Sequence, residues 1–159
     1  MFQIGDKIIY PMQGAGIIQG IEQKEVSGVT EAYFKINIFS NRMQIMIPLG
    51  KILNTGIRPI GDESAIENIL MGFNEKILYS GEALSYRERY QMNMLKVKTG
   101  KLKEGSEVVH DLMLIGKNKP LNSSEKQLLM TAKKILVSEI ALVKGIPEES
   151  AEELLTLYF

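Results

Sequence analysis

A chain of 159 residues, 45% hydrophobic and 24% charged, has the balance of a folded globular protein rather than of a disordered one. Nineteen basic and nineteen acidic residues cancel, so any attraction for a polyanion has to come from a local patch. Cysteine is absent and His110 is the sole histidine, which excludes disulfide scaffolds, thiolate chemistry and the usual nucleophile-and-base sets.

Carboxylate or lysine chemistry stays formally open, but an enzyme is not expected, and no cofactor or metal is called for. The opening residues, Met1 to Lys7, hold a charge pair and no apolar run long enough for a signal peptide or a membrane span, so a cytoplasmic protein is expected.

From Lys7 to Arg58 short β-branched runs alternate with Gly, Asn and Ser, the pattern of a small antiparallel sheet or barrel of four or five strands. The first run, Lys7 to Tyr10, stops at Pro11, and Gly14 restarts a strand through Gln23, with Gly16 and Gly20 expected to permit bending. Val26 to Thr30 reads as a hairpin turn around Ser27 and Gly28. In the strand from Glu31 to Phe39, Phe34, Ile36 and Ile38 alternate with Lys35 and Asn37. Ser40 to Arg42 make the next turn, Met43, Ile45 and Ile47 share one face of the returning strand up to Pro48, and the sheet is expected to close near Gly56 to Arg58. An open edge between Glu31 and Ile47 offers backbone groups to a partner's strand, and the charged flanks read equally well as edge protection. Gly14-Ala15-Gly16 lacks the following helix and lysine of a phosphate loop and serves strand geometry instead.

After Pro59 and Gly61 the hydrophobic period changes from two to about 3.6, which places a domain boundary near residue 60: a β domain over 1–60 and a helical domain over 61–159. Helices are expected from Asp62 or Ser64 to Gly72, from Ser85 to Thr99, and from Lys103 to Ile115 before Gly116 breaks the pattern. A long helix follows Asn122, with Glu125 three residues on as in a capping box and a stripe of Leu128, Leu129, Ala132, Ile135, Leu136, Ile140 and Leu142. The last helix begins at Pro147 with Glu148 and Glu149 in its first turn. The fold class is therefore α+β.

Charge is unevenly placed. Residues 87–134 hold eleven lysines and arginines against five acids, an excess suited to phosphate-backbone contact and equally compatible with a solvated surface. Tyr86 and Tyr90, four apart and interleaved with Arg87 and Arg89, put two rings on one helix face. An aromatic ring there can wedge into a minor-groove base step, although spacing alone favours core packing. His110, among Val108, Val109 and Leu112, is assigned no chemical role.

The opening Phe2-Gln3-Ile4-Gly5-Asp6-Lys7-Ile8-Ile9-Tyr10-Pro11-Met12-Gln13-Gly14 resembles the start of CarD/CdnL-type bacterial transcription regulators. Met46-Ile47-Pro48 is similar to their last-strand Val-Pro segment, Arg89-Tyr90 with Asn93 to their DNA-facing helix, and Ser124-Glu125-Lys126 with Ala132-Lys133-Lys134-Ile135-Leu136 to their long helix. The resemblance covers essentially the whole chain, which sets it apart from the transcription-repair coupling helicase, where the same barrel occurs without these helices. It implies a Tudor-like barrel that docks on the β-subunit lobe of RNA polymerase, and a helical domain that contacts promoter DNA at the upstream edge of the melted region and lengthens the life of the open complex. Carried over by position, Tyr86 stands where relatives place a wedging tryptophan, Arg87, Arg89, Lys126 and Lys133 are DNA-facing, and Lys24, Met46, Ile47 and Pro48 face polymerase. Tyrosine for tryptophan, Met46 for an arginine, and Glu88 and Gln91 for basic residues depart from the family pattern and imply weaker DNA contact and a more apolar polymerase interface. The alternative is a protein-interaction module whose basic stretch is merely solvated.

Overall fold

The computed structural model describes residues 1–79 and 84–159, which fall into two compact units, Met1–Ile60 and Gly61–Phe159.

The first unit is a five-stranded antiparallel sheet of β1 (Lys7–Tyr10), β2 (Gly14–Val26), β3 (Val29–Ile38), β4 (Gln44–Pro48) and β5 (Arg58–Pro59), in the order β4-β3-β2-β1-β5. Ser27 and Gly28 both take positive φ, 53° and 80°, which makes β2–β3 a tight two-residue hairpin whose own twist matches that of the strands. The hairpin runs further than the sequence pattern suggested, to Val26 paired with Val29, and residues 21–30 are exposed throughout. Gly16 is required by close approach: a Cβ there would stand 2.5 Å from the Asn37 carbonyl oxygen on the neighbouring strand. The ladder shifts register between Ile18 and Gly20, where the strand bends.

Ile8, Ile18, Phe34, Ile36, Ile38 and Ile47 from the strands, joined by Ile52 and Ile57, form one apolar core. Two expectations are corrected. The sheet is open, not a closed barrel, because Pro48 ends β4 and the chain turns into a 3-10 helix, Leu49–Thr55, that places Ile52 in the core, while β5 is two residues long and pairs with β1 alone. Met43 does not share the inward face of half-buried Ile45 and buried Ile47: it lies just before β4 and is exposed.

The second unit is helical: α1 (Glu63–Met71), α2 (Tyr86–Lys98), α3 (Leu102–Asn118), α4 (Ser123–Lys144) and α5 (Glu148–Tyr158). Side-chain caps start three of them, since Asp62 accepts from the Ala65 amide at 2.8 Å, Ser85 from that of Glu88 at 3.2 Å and Asn122 from that of Glu125 at 2.9 Å. The sequence pattern ended α3 near Gly116, but the helix runs on to Asn118, with Leu121 folded over the glycine and Pro120 falling beyond the end. Pro147 is the cap of α5 and not its first residue. Gly145, at φ 67°, closes α4 in the left-handed conformation that glycine adopts most readily.

Leu128, Ala132, Leu136, Val137, Ile140 and Ala141 bury one face of α4 against α3 and α5, and Leu129, Ile135 and Leu142 sit half-buried at its margins. Lys144 ties α4 to α1 by bridging Glu63, at 2.9 Å, and Glu67. Those hydrogen bonds, the one to Glu67 foremost, hold the lysine in its charged form well above its ordinary pKa of 10.5. His110 is fully buried: Nε2 meets the Glu75 carbonyl at 2.8 Å, Nδ1 meets Asp111 Oδ1 at 3.1 Å, and the rings of Phe73, Tyr79 and Phe159 stand edge-on around it. Among the described residues no helix is long and apolar enough to cross a membrane.

Candidate nucleic-acid interface

Tyr86 is the first residue of α2, placed there by the Ser85 cap, which also donates its hydroxyl proton to Glu88 at 2.9 Å. One helical turn later Tyr90 stacks on it, ring centroids 6.3 Å apart and planes inclined by 30°. The Tyr86 hydroxyl donates to Asn122 Oδ1 at 3.0 Å, so the first turn of α2 rests on the cap of α4, 36 positions away in sequence. Tyr86 as a residue is 42% exposed. Arg87, beside it, is exposed.

Arg89 is placed differently. Its guanidinium lies on Glu125 in a bidentate pair, Nε to Oε2 at 2.8 Å and Nη2 to Oε1 at 2.9 Å. The Arg89 side chain is 17% exposed and that of Glu125 3%, so two nitrogens of the arginine are committed to a buried carboxylate. The hydrogen bonds to Glu125 lift the arginine's pKa above its ordinary value, against the opposing effect of burial. The same guanidinium stands 6.0 Å from the Tyr86 ring centre. Glu125 was legible as a capping partner of Asn122, because that relation is local. Its pairing with Arg89 spans 36 residues, and no sequence signal announces it.

Lys126 follows Glu125 on α4 and points outward, with its amide bonded to the Asn122 carbonyl at 2.9 Å. Tyr86, Arg87 and Lys126 thus occupy two adjoining helix starts, a position where amide groups and cationic side chains both favour phosphate. Lys133, two turns further along α4, is half-buried where Lys126 is exposed. It pairs with Glu152 of α5 at 3.3 Å and, together with Lys126, lines a groove of about 500 Å³ that also includes Leu129, Val137, Glu148 and Glu149.

In the sheet unit, Lys24 sits on the exposed length of β2 opposite Glu31. Met46 and Pro48 are half-buried on β4, opposite Lys35 and Tyr33, whereas Ile47 is 5% exposed and its side chain belongs to the core. Because β4 ends the sheet order, its outer backbone has no strand partner among the described residues.

Residues 2–61 match the CarD-like/TRCF RID domain, a type of RNA-polymerase-interacting domain, and residues 78–156 match the CarD C-terminal domain. A protein of Bacillus subtilis (strain 168), YdeB, whose name marks it as a candidate transcription factor, is 46% identical over 149 residues, 94% of this chain and 96% of its own length. The solution NMR structure of the 72-residue N-terminal domain of Myxococcus xanthus CarD is 30% identical, covering 37% of this chain and 79% of that one at a TM-score of 0.32. With both of its domain models matched in order and a relative this similar along nearly its whole length, the chain belongs to the CarD/CdnL family of CarD-like transcription factors.

Proposed function

We propose that this protein is a non-enzymatic transcription regulator that binds the β-subunit lobe of RNA polymerase through its sheet unit and promoter DNA, at the upstream edge of the bubble, through its helical unit. DNA contacts made only when that edge is open shift the population toward the open complex. The observation that carries the reading is the joined start of α2 and α4, where the exposed Tyr86 stands with Arg87 and Lys126 facing solvent. The ring is the wedge, and the two cations hold the phosphates on either side of it. Lys133, faced by Glu152, takes a minor part in DNA contact.

On the polymerase side, the open backbone of β4 with Met46 and Pro48, and Lys24 on the hairpin, form the docking edge, and Ile47 supports it from the core. With Met46 where a cation would make charge-assisted bonds, the contact relies on backbone pairing and apolar burial. The test is binding of the full chain to a β-lobe fragment and, separately, to promoter-edge DNA across a salt series. The reading predicts DNA affinity falling steeply between about 50 and 200 mM salt while lobe affinity changes little. Salt-indifferent or absent DNA binding would leave a protein-interaction module instead.

A further inference from the structure

We propose that Glu125 is the positioning residue of the DNA-facing edge: through Arg89 it fixes where the Tyr86 ring stands, without touching DNA itself. The inference rests on the DNA-contact reading above and adds to it a residue of the opposite charge from the one phosphate would select.

Four contacts form a closed circuit. Glu125 holds Arg89 by two hydrogen bonds, at 2.8 and 2.9 Å. The Arg89 guanidinium stands 6.0 Å from the centre of the Tyr86 ring, which is stacked on Tyr90 from its other neighbour on α2. The Tyr86 hydroxyl reaches Asn122 Oδ1 at 3.0 Å, and that same oxygen accepts from the Glu125 amide at 2.9 Å, which returns the circuit to its start. A carboxylate whose side chain is only 3% exposed is costly to bury unless paired, and here the pairing spans the two helix starts that carry Arg87 and Lys126. Losing the carboxylate charge therefore frees Arg89 and removes one of the supports that orient the ring.

The sign of the effect separates this role from simple electrostatics. An acid adjoining Lys126 repels phosphate, so on charge alone its neutralisation strengthens DNA binding. Positioning predicts the reverse. It also predicts that Arg89, occupied by Glu125, is not among the phosphate contacts, so that its loss changes affinity without changing the number of phosphates neutralised.

The experiment uses the full chain, a DNA fork mimicking the upstream bubble edge, and the variants Glu125→Gln, Arg89→Lys and Lys126→Ala. Affinity is measured across a salt series, and the Tyr86 ring signal is followed by NMR of ring-labelled tyrosine in the DNA-free protein, assigned with Tyr86→Phe. Glu125→Gln is expected to weaken binding about fivefold, the scale of one lost hydrogen bond, with an unchanged salt slope and a shifted Tyr86 signal. Lys126→Ala is expected to lower the slope by about one and leave that signal in place. Arg89→Lys, which keeps the charge and loses the bidentate fork, is expected to act in the same direction as Glu125→Gln and serves in its place if that variant does not fold. Binding as tight as or tighter than wild type in folded Glu125→Gln overturns the inference, and so, independently of DNA, does a Tyr86 signal indifferent to the change. Failure of the wild-type chain to bind the fork at all overturns the interface reading instead.

Discussion

Two lysines of α4, two turns apart, line one groove and are placed differently, Lys126 exposed and Lys133 half-buried. At the start of the helix the acid is buried: Glu125 turns inward onto Arg89, and Lys126 is left facing solvent beside Tyr86 and Arg87. Around Lys133 the acid is outside: Glu152 of α5 reaches it at 3.3 Å, and Glu148 and Glu149 line the groove shared by Lys126, Lys133 and Lys134. Lys126 has no ion-pair partner among the described residues, whereas the charge of Lys133 is met directly by Glu152. A polyanion face is thus defined by where the acids of the folded chain go, not by how many lysines a segment contains.

The sharpest way to break this comparison is to remove each acid in turn and measure stability by urea denaturation. Glu125→Ala leaves the Arg89 charge semi-buried and without its carboxylate, and the expected loss is about 3 kcal/mol, the scale of a broken buried pair. Glu152→Ala opens a pair whose acid is 57% exposed, and the expected change is below about 0.5 kcal/mol. Equal losses would mean that the surroundings of the two lysines do not differ in the way described.

Charge reversal of the lysines is the next largest effect. Lys126→Glu is expected to weaken binding of bubble-edge DNA about tenfold at low salt, and Lys133→Glu less than about twofold, measured by fluorescence anisotropy on the same DNA. A reversed ranking would centre the DNA-facing surface on Lys133 instead. The smallest effect concerns the far end of α4. Lys144, held charged above its ordinary 10.5 by Glu67 and Glu63, contributes stability that is complete below that pH and is lost as the pH rises through the higher folded-state value. The stability difference between wild type and Lys144→Met is therefore expected to be flat across neutral pH and to shrink only above about pH 10.5, followed by thermal melting.

What could be read from the residues alone follows the range of the forces involved. The turn at Ser27-Gly28, the Asn122 cap and the alternation of Phe34, Ile36 and Ile38 are decided within a few residues and form where the pattern placed them, while Asp62, offered with Ser64 as a helix start, and Ser85, read as the start of its helix, prove to be caps. The continuation of α3 through Gly116 was missed because a glycine costs a helix only about 1 kcal/mol relative to alanine, too little to end one by itself. Sheet closure was over-read because the segment Leu49–Thr55, with Ile52 directed inward, supplies core from a 3-10 helix that has no strand-like period.

The same rule holds at the candidate interface. The resemblance pointed to Tyr86 and Lys126, and the charge excess to the whole of residues 87–134. Neither could distinguish Arg89 from Arg87, since the carboxylate that claims Arg89 lies 36 residues away, nor Lys126 from Lys133, since the acid that meets Lys133 belongs to α5.

The most direct test of the central claim is the lifetime of the open complex formed by bacterial RNA polymerase on a ribosomal-type promoter, with no factor, with wild type and with Tyr86→Ala. The account predicts a longer lifetime with wild type, and a shorter one with Tyr86→Ala than with wild type at protein concentrations that saturate polymerase. A wild-type protein that binds polymerase yet leaves the lifetime unchanged would contradict it.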